Sequence, residues 1–152
     1  MPSTPHDPIE QTEAAHLAAV TAIYEAFARG DVPAILARLA DDVRWDDWAD
    51  NSAQRAGVPW LARRTGRDGA AAFFEAASRL RITEFRVLAM MAGARQVAVE
   101  VEIAAEVPET GGAYRDQEMH LWTFDAAGQV ARLRHYTDTA KHIAAAGHAG
   151  GA

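Results

Sequence analysis

The second half of the chain abandons helical periodicity. From residue 82 onward, apolar side chains alternate at period two through 82–91, 96–107, 113–125 and 129–137, with breaks marked by Gly93, Gly111-Gly112 and Gly128. Period-two alternation puts successive side chains on opposite faces of a pleated strand. Breaks of only a few residues leave no room for the crossover helices that parallel neighbours require. The pattern therefore predicts an antiparallel meander of four strands, long enough to dominate the fold and apolar on a face that needs cover.

The cover comes from upstream. Leu17, Val20, Ile23, Tyr24 and Phe27 recur at helical spacing over 13–29, and Gly30-Asp31 stops that helix and caps the next. The second helix tolerates Pro33 in its first turn, carries Ile35, Leu36 and Leu39 on one side, and ends near 40–42. Residues 43–48 alternate as a short strand, with Val43, Trp45 and Asp47 on one face and Arg44, Asp46 and Trp48 on the other. The connection 49–66 is long and contains Trp60, which predicts a packed flap. A third helix over 67–80 turns Phe73, Phe74, Ala77 and Leu80 inward, and Asp138 caps a short last helix over 139–146. Helices first and a meander after define an α+β class. The expectation is one domain over 12–146, flanked by flexible segments 1–11 and 147–152.

Composition removes several function classes. A chain of 152 residues without a cysteine can hold one core but no disulfide, thiolate nucleophile or cysteine-ligated metal. A formal charge of −6 with interspersed arginines lacks the basic stripe of a nucleic-acid surface. No apolar run is long enough to span a bilayer, and the first residues lack a secretion signal, so a cytoplasmic protein without a membrane partner is expected.

The order of motifs carries a resemblance. A helix, the Gly30-Asp31 corner and a second helix precede Ala40-Asp41-Asp42-Val43-Arg44-Trp45-Asp46-Asp47. Thr65-Gly66-Arg67-Asp68, His120-Leu121-Trp122-Thr123-Phe124 and Arg134-His135-Tyr136-Thr137-Asp138 follow. This order resembles the nuclear transport factor two superfamily, and within it the SnoaL-like and ketosteroid-isomerase-like proteins. The resemblance implies a cone-shaped α+β roll, in which about three helices cover a curved antiparallel sheet around an internal apolar pocket. It also implies a homodimer, a small hydrophobic molecule as partner, no cofactor and no metal.

Candidate site residues follow from the same alignment of motifs. Asp47 falls where ketosteroid isomerases carry a proton-shuttling aspartate, and a carboxylate beside Trp45 in an apolar cavity has its charged form disfavoured. His120 falls where they place an oxyanion-stabilising acid, and an imidazole there can donate to a developing enolate. His135 replaces an aspartate that the resemblance to SnoaL-like cyclases and limonene epoxide hydrolases implies. The hydrolase pattern is incomplete, because Glu100, Glu102 and Ala104 stand where it needs an arginine and an aspartate. The family's helix-one tyrosine aligns with Ile23, so the Tyr24 hydroxyl is expected about 100° away from the reacting face.

Asp47, His120 and His135 are thus the expected catalytic set, and Trp45, Tyr24, Trp60, Glu118, Trp122 and Leu133 the expected substrate-binding walls. A four-residue hairpin loop at 125–128 would set Glu118 opposite His135 and His120 opposite Leu133, with both histidines on one face. In that register Glu118 orients His135. Glu118, His120 and His135 are also the inventory of a facial triad, but two of them are next neighbours on one strand, and no metal is expected. Of the other histidines, His6 and His148 lie in the terminal segments, and His16 and His142 are expected on helices near the surface. The expected activity is cofactor-independent acid/base chemistry, an isomerisation, aldol-type cyclisation or dehydration of a cyclic or polyketide-like substrate. The rival is a binding or scaffold protein of the same fold.

Overall fold

A computed structural model describes residues 8–147. The terminal segments expected to be flexible lie largely outside this range, and so do His6 and His148. Helix α1 (Pro8–Ala28) begins earlier than its apolar stripe, because Pro8 fits a first helical turn and the polar residues after it are good helix formers. Gly30 at φ 71° ends it, and the Asp31 carboxylate accepts from Ala34 N at 3.2 Å to start α2 (Val32–Leu36). That second helix is shorter than its pattern suggests. Leu39 already belongs to β1 (Leu39–Trp45), where burial on the sheet outweighs the helical spacing.

The connection after β1 holds a short helix α3 (Ser52–Arg55), a 3-10 turn at Pro59–Leu61 and a two-residue edge strand β2 (Arg64–Thr65). Helix α4 (Gly66–Ser78) follows, and the Arg67 guanidinium ties its start to Leu39 O through two bonds of 3.0 and 2.8 Å. The meander is as the alternation predicts: β3 (Arg81–Gly93), β4 (Gln96–Val107), β5 (Gly112–Phe124) and β6 (Val130–Tyr136). All six strands form one curved sheet in the order β2-β1-β6-β5-β4-β3. The meander is antiparallel, whereas β1 joins β6 in parallel, an arrangement made possible by the long path from β1 round to β6.

Helix α5 (Thr139–Gly147) lies against β5 so closely that a Cβ on Gly112 would overlap Ala145 O and stand 2.8 Å from Ala145 Cα. Gly112→Ala is therefore expected to push α5 off the sheet at a cost of about 1–3 kcal/mol, read as a lower urea midpoint. An unchanged midpoint would show that this contact does not fix the helix.

Two apolar clusters make up the interior. The larger joins α1, α4 and the middle strands through Val20, Ile23, Phe74, Trp45, Trp122 and Leu133. The smaller joins the 49–66 connection and α5 to β4 and β5 through Val58, Trp60, Ile103, Tyr114 and Ala145. Among the described residues, no helix is long and apolar enough to cross a membrane.

Candidate functional site

At the seam between the two clusters lies a cavity of about 80 Å³. Trp45, Trp60, Phe74, Trp122 and Leu133 are among its apolar walls, and Tyr24, Glu118, His120, His135 and His142 are set into them. The structure thus brings every sequence-expected site residue to the cavity except Asp47.

The reason lies at the end of β1. Asp46 takes φ 52°, a left-handed conformation that aspartate tolerates better than most residues, and this breaks the strand's alternation. Its carbonyl is gripped by Gln54 Nε2 at 2.6 Å, and its N–H donates to Leu133 O at 2.8 Å. The Asp46 carboxylate consequently turns inward and is 1 % exposed. Asp47 instead accepts from Arg134 Nε at 3.4 Å and pairs with Arg44 at 3.2 Å, on the side where Arg134 stacks over Trp48. The Asp46-Asp47 doublet was itself the available signal, since alternation cannot be carried through a residue prone to positive φ.

Asp46 clasps His135. One carboxylate oxygen accepts from the His135 backbone N–H and the other from Nδ1, both at 2.8 Å. A buried carboxylate only accepts, so Nδ1 carries the proton. Nε2 has no hydrogen-bond partner among the described residues, and the ring lines the cavity. Burial works to lower the His135 pKa, but the Asp46 charge and hydrogen bond outweigh it and hold the imidazole above its usual 6.5.

His120 faces His135 directly, with ring centroids 4.6 Å apart. Its Nε2 meets Glu118 Oε1 at 3.0 Å and its Nδ1 meets the Tyr24 hydroxyl at 2.7 Å. Trp122 Nε1 donates to the same hydroxyl at 3.1 Å. Indole N–H can only donate and the carboxylate only accept, so the consistent assignment runs Trp122 to Tyr24 to His120 to Glu118, with His120 neutral. Burial keeps the His120 pKa low against the opposing pull of Glu118. Burial likewise raises the Tyr24 phenol, which stays protonated. The hydroxyl expected to miss the reacting face therefore reaches it. The stripe that α1 buries is wide enough to include both Ile23 and Tyr24.

Glu118 extends the network to the last helix. Its Oε2 lies 3.0 Å from His142 Nε2, which is also 2.8 Å from Asp116 Oδ2, while Trp60 Nε1 donates to His142 Nδ1 at 2.9 Å. Burial works to raise the Glu118 pKa, yet the bonds from His120 and His142 hold it well below the usual carboxylate range. Asp116 is raised by burial. The expectation that His16 and His142 sit near the surface does not hold: they are 5 % and 1 % exposed. His16 stacks on Phe124 with centroids 4.0 Å apart. The one hint for His142 was its three-residue spacing from Ala145, and an alanine-rich helix makes its faces look alike.

Glu118 is not opposite His135. The hairpin closes with Asp125 N donating to Gln129 O, its carboxylate accepting from Ala127 N and Gln129 N, and Gly128 at φ 80°, leaving a loop of three residues. That loop alone would separate the histidines onto opposite faces. A β-bulge between Phe124↔Val130 and Thr123↔Arg132 restores them to one face, with His120 opposite His135 and Trp122 opposite Leu133. The carboxylate-imidazole pair on His135 is therefore made by Asp46, and Glu118 serves His120.

Asp116, Glu118 and His142 place potential ligand atoms within 4.8 Å of one another, all buried. The Trp60 N–H requires a lone pair on His142 Nδ1, which puts the proton on Nε2, the atom facing the two carboxylates. A cation there would need that proton moved to where the indole already donates. The donor set thus suits a shared proton better than a metal ion.

Comparison with known proteins agrees with this architecture. An NTF2-like protein from Burkholderia xenovorans shares 22 % identity over 88 % of this chain and 97 % of its own, at a TM-score of 0.73. A candidate polyketide cyclase from Xanthomonas campestris shares 24 % identity over 89 % of this chain and 98 % of its own, at 0.68. A Mycobacterium tuberculosis protein in complex with estradiol-17β-hemisuccinate shares 19 % identity over 80 % and 92 %, at 0.63. At these identities the likeness is one of fold. No curated protein matches. The sequence profile of the SnoaL-like domain matches residues 20–133, which is most of the folded chain, and the protein belongs to the SnoaL-like domain family.

Proposed function

We propose that the cavity is the active site of a cofactor-independent enzyme that moves a proton on a small, hydrophobic, carbonyl-bearing molecule, in an isomerisation, aldol-type cyclisation or dehydration. The observation that carries this reading is His135. Its Nε2 is unpartnered at the cavity wall, and the Asp46 bond on Nδ1 both fixes the tautomer and strengthens the base. His135 Nε2 takes a proton from the carbon beside the carbonyl, and the C–H electron pair becomes the C=C bond of an enolate whose charge rests on oxygen. Tyr24, held between Trp122 and His120, is the second proton-bearing group at the wall. Both ring nitrogens of His120 are engaged within the protein, so it holds Tyr24 in place and does not act on the substrate directly. Asp47, outside the cavity lining, takes no part in this scheme.

The test needs no natural substrate. Cyclopentanone deuterated at its α-carbons should lose deuterium to water faster with the protein than with buffer of equal strength, followed by proton NMR. A second reading, a ligand-binding protein without chemistry, is favoured by the bound estradiol-17β-hemisuccinate in the mycobacterial protein of this fold. Exchange at the buffer rate, with the ketone shown to be bound, would decide for that reading.

A further inference from the structure

The three tryptophans around the cavity are not equivalent. Trp60 donates its N–H to His142 and Trp122 donates its own to Tyr24, so both are satisfied within the protein. Trp45 is 0 % exposed, its ring borders the cavity, and its Nε1 is buried with no acceptor among the described residues. A buried N–H left unpaired costs roughly 1–3 kcal/mol, and nearly all such groups in folded proteins find a partner in protein, water or ligand. Among the described residues, the other buried side-chain nitrogens without a partner belong to Arg64 and Arg132, which do not line the cavity. The rings packed around Trp45, those of Phe73, Phe74 and Trp122 at 5.1, 5.7 and 5.9 Å and His135 at 6.4 Å, offer its N–H no oxygen.

We propose that Trp45 Nε1–H is the cavity's free hydrogen-bond donor for ligand, and that it selects small molecules carrying a carbonyl or comparable oxygen acceptor over hydrocarbons of equal shape. The inference deepens the acid/base reading, on which it rests for the choice of cavity. Tyr24 cannot fill this role in the resting protein, because its single hydrogen is spent on His120 Nδ1. A ketone oxygen held on Trp45 leaves the rest of the molecule at a wall shared with His135, whose ring packs 6.4 Å from the indole. Size restricts the ligand further. A cavity of about 80 Å³ is smaller than the roughly 150 Å³ hollow known to accept benzene, so a single small ring is the largest body that enters with modest side-chain movement.

The experiment compares cyclopentanone with methylenecyclopentane, in which C=CH₂ replaces C=O at nearly constant shape. The protein carries nitrogen-15 in its indoles, and the Trp45 N–H signal is assigned by its loss in Trp45→Phe. The ketone should shift that one signal downfield and bind at least about tenfold more tightly than the alkene. Trp45→Phe should remove the preference, bringing the two probes to near-equal affinity. Equal binding of the two probes, no binding of the ketone, an unmoved Trp45 signal, or a preference that survives in Trp45→Phe each overturns the proposal. The comparison of probes on the unaltered protein stands even if the variant folds poorly. A ketone that binds through Trp45 without losing α-deuterium upholds this inference and sinks the catalytic reading, so the two fail separately.

Discussion

Replacing His135 by glutamine should slow α-deuterium exchange by about 10²–10⁴-fold, the usual contribution of a positioned general base. Gln keeps approximate volume but offers no basic nitrogen, so ketone binding and the unfolding midpoint should change far less than the rate. Asp46→Asn makes the same point without touching the base. An Asn amide donating to Nδ1 would put the ring proton on Nε2, converting the acceptor at the cavity wall into a donor. The backbone bond from His135 N to residue 46 can persist through the amide oxygen, so structure is spared. A variant at either position that exchanges deuterium at the wild-type rate would remove His135 from the mechanism.

The pH dependence has a determined sign. His135 is held above 6.5 and must be deprotonated to act as base, so the exchange rate should rise with pH through an inflection above that value. In Asp46→Asn the supporting charge is gone, burial is left to dominate, and any residual inflection should move downward. For stability, the charged His135 and Asp46 pair favours folding below 6.5, and that contribution is lost as pH rises through the folded-state pKa.

The largest expected loss of stability belongs to Glu118→Gln. The Glu118 carboxylate receives two imidazole N–H groups, from His120 and His142, and is 5 % exposed. Glutamine must present an NH₂ to one of those donors. Breaking a buried, hydrogen-bonded ionic partner in this way costs about 3 kcal/mol or more, which in a chain of this size lowers Tm by roughly 6–12 °C. Thermal unfolding followed by circular dichroism checks this, and a Tm equal to or above wild type would show that the network contributes nothing net. The same network sets the acid limit. Glu118 is depressed below 4.5, so the stability it contributes is present above that pH and is lost as pH falls through its folded pKa. His120, held below 6.5, works in the same direction because protonating it in the folded state is disfavoured. Acidification below about 6.5 should therefore lower Tm progressively in the wild type, with a weaker slope below 4.5 in Glu118→Gln.

How far these residues were legible in the sequence follows from which of them obey a period. Trp45, Trp122, His120 and Leu133 sit on strands whose alternation fixes the face each side chain takes, and all reach the cavity as expected. Trp60 reaches it because a tryptophan in a long connection has an apolar surface to bury. The exchange of Asp47 for Asp46 turns on one backbone torsion. Two neighbouring aspartates look alike in sequence, and only the grip of Gln54 and the Leu133 carbonyl decides which is turned inward. The pairing partners of Glu118 and His135 depend on a bulge that compensates a short hairpin loop, and a single inserted residue leaves the alternation of each strand looking the same.

The sequence by itself determined the α+β class, the meander and its apolar face, because periodicity is a local property repeated over many residues and errors at single positions average out. Tertiary structure alone decided which carboxylate meets which imidazole. Such a contact depends on one torsion, one bulge and one helix docking, with no repeat to reveal it, and a shift of a single residue in any of them reassigns a proton between side chains that are far apart along the chain.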